Sequence, residues 1–178
     1  MTIECGLLDF ARILERAERS MREGPTVEGE FRWAMSRACV MVQSDAMMRI
    51  GEYQAAVGPF PRWQQLAPST QEERARLGFT PNDPLKRTGE LARSIEITIQ
   101  GHTGYVGTND PVAPYQEYGT ARIPPRPFLG PAAFVNEARI QKLFVRAVAR
   151  SFGIADEFRA MNAEYMLGDR DKVTVLYR

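Results

Sequence analysis

The proline-rich stretch within residues 115–132 constrains the fold of this chain more than any other part of its sequence. It reads Tyr-Gln-Glu-Tyr-Gly-Thr-Ala-Arg-Ile-Pro-Pro-Arg-Pro-Phe-Leu-Gly-Pro-Ala. Pro124, Pro125 and Pro127 fix φ and remove backbone donors, so the residues around them can join neither a helix interior nor a central strand. Gly119 adopts positive φ without steric cost. We therefore expect a stiff, extended, projecting arm that hinges at Gly119 and leads into an apolar helix.

The arm carries no nucleophile, set of metal ligands or phosphate cradle, so its composition is typical of an assembly device. Glu117 has two open interpretations: it lies in a core turn as a single exposed carboxylate, or it pairs with Arg122 or Arg126, including one from the next subunit, and sets the direction of the arm. Phe128 is the expected apolar anchor. The candidate interface residues are Tyr115, Glu117, Tyr118, Gly119, Arg122, Pro124, Pro125, Arg126, Phe128 and Trp63.

Four short runs occur in order between residues 85 and 132. They are Leu85-Lys-Arg-Thr-Gly-Glu-Leu-Ala-Arg-Ser-Ile95, Gly104-Tyr-Val-Gly-Thr108, Tyr115-Gln-Glu-Tyr-Gly-Thr120 and Pro125-Arg-Pro-Phe-Leu-Gly-Pro-Ala132. This ordered set resembles the tail-completion (neck, head–tail joining) proteins of long-tailed bacteriophages, including the minor tail protein Z group. The segment 51–84 resembles the related phage virion-morphogenesis proteins instead.

The resemblance implies a virion structural protein that forms a ring, commonly a hexamer, at the head-proximal end of the tail. Such a ring completes the tail and joins it to the DNA-filled head. The implied partners are copies of the same chain and other neck proteins, namely a head-closure or adaptor protein and a tail terminator or tail tube. DNA passes through only as cargo, no membrane is involved, and the protein is made in the cytoplasm of the bacterial host. A tail terminator or head-closure (stopper) component of the same neck is the alternative.

Length, charge and cysteine spacing set bounds on the domain count, the partners and the cellular compartment. The length of 178 residues predicts one domain over residues 1–178, and the net charge of +1 argues against non-specific binding of nucleic acid by the whole surface. The N-terminus lacks the basic region and apolar run of a signal peptide, so we expect none. Cys5 and Cys39 lack the spacing of a metal or redox motif and are expected to be buried free thiols, which fits a reducing cytoplasm.

Hydrophobic periodicity predicts an α+β fold, with a small antiparallel or mixed sheet packed by long helices. Residues 1–50 form two N-terminal helices, the first with Leu7, Phe10, Leu14, Ala17 and Met21 inward. Residues 51–84 form an irregular loop segment with one short helix, which the capping box 70–73 is expected to begin. Trp63 in this segment is either a lid over the core or an interface anchor.

Residues 85–178 are expected to hold the sheet, the arm and the C-terminal helices. Ile95, Ile97 and Ile99 alternate with polar residues, which predicts a half-buried strand over 94–100 that pairs with 104–108 in a hairpin. One helical turn follows over 114–118. The last predicted elements are a helix from 128 to about 152 with Leu129, Ala133, Ile140, Leu143, Phe144 and Ala147 inward, a helix through Ile154, Phe158, Met161 and Tyr165, and a terminal strand over 172–177.

One basic face is expected on the helix that follows the arm. Arg139, Lys142, Arg146 and Arg150 recur three and four residues apart. This face is a solvated surface, an ion-pairing surface for an acidic neighbouring subunit, or a patch that faces DNA, and a DNA-binding module is therefore the distant alternative function.

The sequence offers little to a catalytic interpretation. His102 lies between two glycines in the expected hairpin turn, where a buried general base is not anticipated. Asp169 and Asp171 suggest a cation site only weakly, because a polar turn after a helix gives the same pattern. We expect no enzymatic activity and no cofactor.

Overall fold

The computed structural model describes residues 7–155, which form an α+β fold as predicted. Within these residues the elements follow in the order α1 (Leu7–Glu23), α2 (Val27–Arg49), α3 (Pro68–Arg76), α4 (Glu90–Arg93), β1 (Ile95–Gln100), β2 (Thr103–Thr108), α5 (Ala113–Tyr118) and α6 (Leu129–Ser151). Among these helices none is both long and apolar enough to cross a bilayer.

The two strands form an antiparallel hairpin, as predicted. Its register pairs Ile95 with Thr108 at one end and Gln100 with Thr103 at the other. The predicted alternation is confirmed, because Ile95 is buried and the next two isoleucines of β1 are half-buried, whereas the three polar residues between and after them are exposed. β2 also passes close to α2: a Cβ at Gly104 would lie 2.5 Å from Sγ of Cys39, so only glycine permits this approach.

The described chain divides into two compact units, and the division falls within α2 and α6. One unit contains residues 7–34 and 142–155, and the other contains residues 35–141.

In the first unit, aromatic and hydroxyl contacts hold the packed elements together. The rings of Phe31 and Phe144 lie 5.0 Å apart between centroids. Ser20 Oγ donates a hydrogen bond to the backbone carbonyl of Ser151 at 3.3 Å. Leu14, which was expected to face inward, is 53% exposed, so the prediction for this position of α1 is wrong.

The second unit has one hydrophobic core, in which α2, the hairpin and the start of α6 take part. Trp63, within the loop segment 51–84, contributes to this core, and so does Phe128 immediately before α6. The buried members are Ala46, Ile50, Trp63, Leu91, Ile95, Ala113, Phe128 and Ala132. Burial of Cys39 raises the pKa of its thiol, as expected for a thiol kept neutral in apolar surroundings.

The short helix of the loop segment begins earlier than its capping box predicted. α3 starts at Pro68, and no side chain caps its first turn. Proline is well suited to this position because its fixed φ is already helical and its missing N–H would have no intrahelical partner there. The prediction that the helix begins at Thr70 is therefore wrong, whereas Gly78 follows its end with φ of 79°.

The predicted inward face of α6 is confirmed at most positions and wrong at one. Phe128 is completely buried just before the helix, and Ala132 and Asn136 follow it at intervals of four residues. Ala147 is buried and Leu129 packs against the core, as predicted. Ala133, which was expected to face inward, is exposed, so the prediction for this position is wrong.

Several predicted features lie outside the described residues. They are Cys5, the helix positions Phe158, Met161 and Tyr165, the pair Asp169 and Asp171, and the strand 172–177.

Candidate functional site

The carboxylate of Glu117 caps the N-terminus of α6. Glu117 Oε2 accepts hydrogen bonds from the backbone N–H groups of Phe128 at 2.8 Å and Leu129 at 3.1 Å. Its Oε1 accepts a third from the N–H of Gly130 at 2.8 Å. The first N–H groups of a helix have no intrahelical partners, and the helix dipole favours a negative charge beside them. A side chain of α5 therefore supplies the cap of α6.

Neither interpretation of Glu117 describes its contacts within the subunit, because its carboxylate is half-buried and bonded to backbone N–H groups. Among residues 7–155, no ion pair joins its carboxylate to Arg122 or Arg126. The pairing expected within the chain is therefore not observed. The reason is that three backbone donors already occupy both carboxylate oxygens.

Arg126 is directed into the protein. Its Nε and Nη2 donate to the carbonyl oxygen of Gln64 at 3.2 and 3.1 Å, and Nη2 also approaches the carbonyl oxygen of Gln65 at 3.4 Å. The residue is only 5% exposed. Burial lowers the pKa of Arg126 from its ordinary value, with Tyr53 opposing and Arg74 adding to this effect. Arg126 thus fastens the proline-rich segment to the loop that precedes α3.

The projecting arm is not confirmed, because the segment folds back onto its own unit. Gly119 has φ of 74° and ψ of 178°, a conformation that is essentially restricted to glycine. After it, the N–H of Thr120 donates to the carbonyl of Ile123 at 2.8 Å, and the N–H of Arg126 donates to the carbonyl of Gln116 at 2.7 Å. The hinge at Gly119 is therefore present, but it closes a compact turn.

Phe128 and Trp63 belong to the subunit core instead of a docking surface. Phe128 is 0% exposed and Trp63 is 5% exposed. The indole Nε1–H of Trp63 donates to the carbonyl of Pro127 at 3.1 Å, so the indole also holds the segment in place. A side chain that is already buried within its own subunit cannot serve as the apolar anchor of a partner, and the expectation for Phe128 is corrected accordingly.

Two exposed residues of the predicted interface, Tyr115 and Tyr118, lie on α5. Together with Val112 at the N-cap of this helix they form a surface here called the tyrosine face; Val112, Tyr115 and Tyr118 recur every three residues and are 49%, 57% and 82% exposed. Residues at this spacing share one side of a helix. Arg122 is also exposed, whereas Pro124 and Pro125 are half-buried.

The four residues of the predicted basic face differ in their surroundings. In the second unit, Arg139 is exposed and donates to Oδ1 of Asn136 at 3.4 Å. In the first unit, Lys142 and Arg146 are exposed. Arg150 lies 3.8 Å from the carboxylate of Glu30, and its guanidinium carbon lies 4.8 Å from the ring centroid of Trp33.

His102 is exposed in the turn that joins β1 to β2. Residues 7–155 contain no group of three or more His, Cys, Asp or Glu side chains that could hold a metal ion.

The sequence did not predict the hydrogen-bond acceptors that hold the proline-rich segment in place. These are the backbone carbonyls of Gln64, Gln65 and Gln116, and a carbonyl has no side-chain signature that a sequence pattern could detect. A comparison with family models, with curated proteins and with solved structures finds no match for this chain.

Proposed function

We propose that this chain is a virion structural protein of a long-tailed bacteriophage. It forms a ring at the head-proximal end of the tail, completes the tail and joins it to the head. The observation that carries the proposal is the ordered set of four runs between residues 85 and 132, all of which lie in the second unit.

The contacts between these runs support the interpretation that they form one structural motif. Ser94 Oγ of the first run and Thr108 Oγ1 of the second lie 2.6 Å apart and share a hydrogen bond. Glu117 of the third run caps the helix that the fourth run begins, with its shortest hydrogen bonds at 2.8 Å. Their polar residues therefore hold one another in place. This is what we expect of a fold signature in a structural protein.

The tyrosine face supports a role in assembly. Tyrosine is enriched in the cores of protein interfaces, where it contributes a large contact area and a polar tip. Tyr118 is 82% exposed on a helix whose position Glu117 fixes. A large aromatic side chain on a helix is suited to docking, because the backbone that carries it is already ordered before a partner covers it.

In the assembly that we propose, identical copies contact one another head-to-tail around a closed axis. The resemblance favours six copies. The neighbours of the ring are a head-closure or adaptor protein on one side and a tail terminator or tail tube on the other, with DNA passing through as cargo. The same surfaces suit a tail terminator or a head-closure component, which are the alternatives within the neck.

A DNA-binding module is the second candidate, which the exposure of Arg139, Lys142 and Arg146 favours. Binding of the purified protein to duplex DNA separates the two candidates. Each phosphate contact adds about 0.9 to the slope of log affinity against log salt, so a DNA-binding module loses affinity for DNA steeply as salt rises. A DNA conduit must also let the genome slide, so several strong phosphate contacts in every subunit would hinder ejection.

Complementation in vitro tests the proposed function. Extracts that contain full heads and free tails, made without this protein, receive purified wild-type protein, and infectious particles are counted. We expect infectivity to rise by orders of magnitude. A failure to restore joining, with the heads and tails shown to be competent by a complete extract, would contradict the proposal.

A further inference from the structure

A cleft in the second unit has features that the proposed function does not use. It encloses about 690 Å³, within the range of about 300–1,000 Å³ typical of ligand sites. Its walls are α3 with the loop before it, α4 with the turn before it, α5 with the residues before it, and the folded-back segment 122–126. Three of the four ordered runs contribute to it, through residues such as Gly89, Gln116 and Arg126.

The charged groups of the cleft are unequal in number. Four arginines line it (Arg74, Arg87, Arg122 and Arg126), against two carboxylates (Glu90 and Asp110). Both carboxylates have local donors: Asp110 Oδ1 accepts from the N–H of Val112 at 2.8 Å, and Glu90 Oε2 lies 2.9 Å from Oγ1 of Thr88. The cleft therefore has an excess of positive charge.

Two of the arginines already have partners outside the cleft. Arg87 pairs with the carboxylate of Glu73 at 3.6 Å. Arg74 Nη1 donates to the carbonyl of Asp83 at 2.6 Å. Within residues 7–155, Arg122 and Arg126 have no carboxylate partner.

Arg126 is the more unusual of these two arginines, because it is buried and also has no carboxylate partner within the described residues. A buried cation without a counter-ion is costly, and carbonyl oxygens compensate only part of that cost. Its Nη1 makes no hydrogen bond within the described residues, since only Nε and Nη2 are engaged. An acceptor that carries a negative charge would complete this site.

Gln116 requires a hydrogen-bond donor, whereas Arg126 requires an acceptor. Its side-chain oxygen Oε1 is buried and has no hydrogen-bond partner within the described residues, so it needs a donor. Leu66, Leu91 and Ile123 give the same cleft apolar walls. A peptide segment offers all three features, namely a side-chain carboxylate, backbone N–H donors and apolar side chains, whereas a phosphodiester offers acceptors alone.

We propose that this cleft binds a peptide segment of another protein chain, with an Asp or Glu carboxylate directed to Arg126 and Arg122 and a backbone N–H directed to Gln116. The inference rests on the proposed function in one respect, that the segment comes from another subunit of an assembly. We assign the occupant to an acidic segment of a different neck protein, because the charge of the cleft is complementary to such a segment. A second copy of this chain is the contrary outcome that its own peptides test.

Nuclear magnetic resonance of the full-length, ¹⁵N-labelled protein tests the cleft. The probes are an acetylated and amidated pentapeptide, Ala-Leu-Glu-Leu-Ala, its counterpart with Gln at the centre, and acidic octapeptides that tile the chain's own sequence. We expect the Glu peptide to shift the signals of the Gly89 amide, the Gln116 side-chain amide and Nε of Arg126. The Gln peptide should bind about fivefold more weakly, since one exposed charge pair contributes up to about 1 kcal/mol.

Three variants locate the effect. Arg122→Gln removes an exposed cation of the cleft and should weaken binding of the Glu peptide about fivefold. Arg62→Gln removes an exposed arginine of the same unit that does not line the cleft, and it should change nothing. Arg126→Lys keeps the charge but loses the planar fork, so it should also weaken binding if folded.

The outcomes separate the possibilities. Binding of the Glu pentapeptide without preferential binding of the chain's own octapeptides supports a different protein as the occupant, whereas preferential binding of one of those octapeptides would assign the cleft to a second copy and overturn the assignment. Equal binding of the Glu and Gln peptides, no shift with any peptide, or shifts caused only by inorganic phosphate or duplex DNA would overturn the proposal. The peptide measurement uses purified protein without particles. A negative result would therefore contradict the cleft proposal but not the role in head–tail joining, and a failure of joining would not contradict a positive peptide result.

Discussion

The Glu117 carboxylate accepts a hydrogen bond from the backbone N–H of Phe128 at 2.8 Å and thereby joins α5 to the beginning of α6. The two residues are separated by the turn at Gly119 and by the proline-rich segment. One side chain therefore fixes both where α6 begins and how the segment between the two helices must fold.

Loss of this cap should destabilise the subunit. In Glu117→Ala three backbone donors at the start of α6 lose their acceptor, and we expect the free energy of unfolding to fall by about 2–3 kcal/mol. Urea denaturation measures the change. Glu137→Ala, which removes an exposed carboxylate from the same helix, is the matched control and should cost less than about 0.5 kcal/mol. Equal effects in both variants would show that Glu117 is not a cap.

The turn at Gly119 should be intolerant of a side chain. A Cβ there would lie 2.8 Å from the carbonyl oxygen of Ile123 and 2.9 Å from the nitrogen of Pro125. Since the backbone conformation is also unfavourable for alanine, we expect Gly119→Ala to cost about 2–3 kcal/mol in thermal or urea unfolding.

Gly78→Ala is the control for this prediction. Gly78 also has positive φ, but a Cβ there would meet nothing within 4 Å. This variant should therefore lose only about 1 kcal/mol. If Gly119→Ala costs no more than that, the close packing of the folded-back segment is contradicted.

The sequence predicted local elements well because their causes are local. The alternation around Ile97 specified the hairpin, and the apolar spacing of α2 and α6 located both helices to within one or two residues. Where a local rule failed, another local rule prevailed: the proline at position 68 began α3 before the capping box at Thr70 could do so.

The path of the proline-rich segment could not be predicted, since distant groups decide it. Arginine is a residue type typical of protein surfaces, yet Arg126 is buried. Its guanidinium donates to the carbonyls of Gln64 and Gln65, which lie more than sixty positions away in the sequence. Glu117 similarly finds its donors only because the chain returns after Gly119. The prolines predicted a stiff segment, but stiffness does not determine whether a segment projects or folds back.

The tyrosine face should matter for assembly and little for folding. Tyr118→Ser removes an aromatic ring that is 82% exposed, so the free energy of unfolding should change by less than about 0.5 kcal/mol. We expect particles made with this variant to lose head–tail joining, measured as free heads and tails in sedimentation. Tyr105→Ser, at a tyrosine of β2 that is 54% exposed, should leave joining intact. If particles made with Tyr118→Ser join normally, the tyrosine face is not part of the interface.

The basic face should meet carboxylates of a neighbouring subunit or neck protein instead of DNA. Arg146→Glu should block incorporation of the protein into particles, because it places like charges opposite each other. A compensating reversal should be recoverable in the partner. Arg19→Glu makes the same charge change on α1 and is expected to be incorporated normally.

DNA binding by the wild-type protein is the contrary outcome. Each phosphate contact would add about 0.9 to the salt slope, so even weak binding is measurable by titration at several salt concentrations. Salt-sensitive binding to duplex DNA that disappears in Arg146→Glu would assign the basic face to DNA.

Negative-stain electron microscopy of particles assembled without this protein tests the proposed place in the virion. The neck assignment predicts DNA-filled heads beside complete but unattached tails, with joining restored when wild-type protein is supplied. Joined and infectious particles in its absence would contradict the assignment, and so would empty heads or a complete lack of tails.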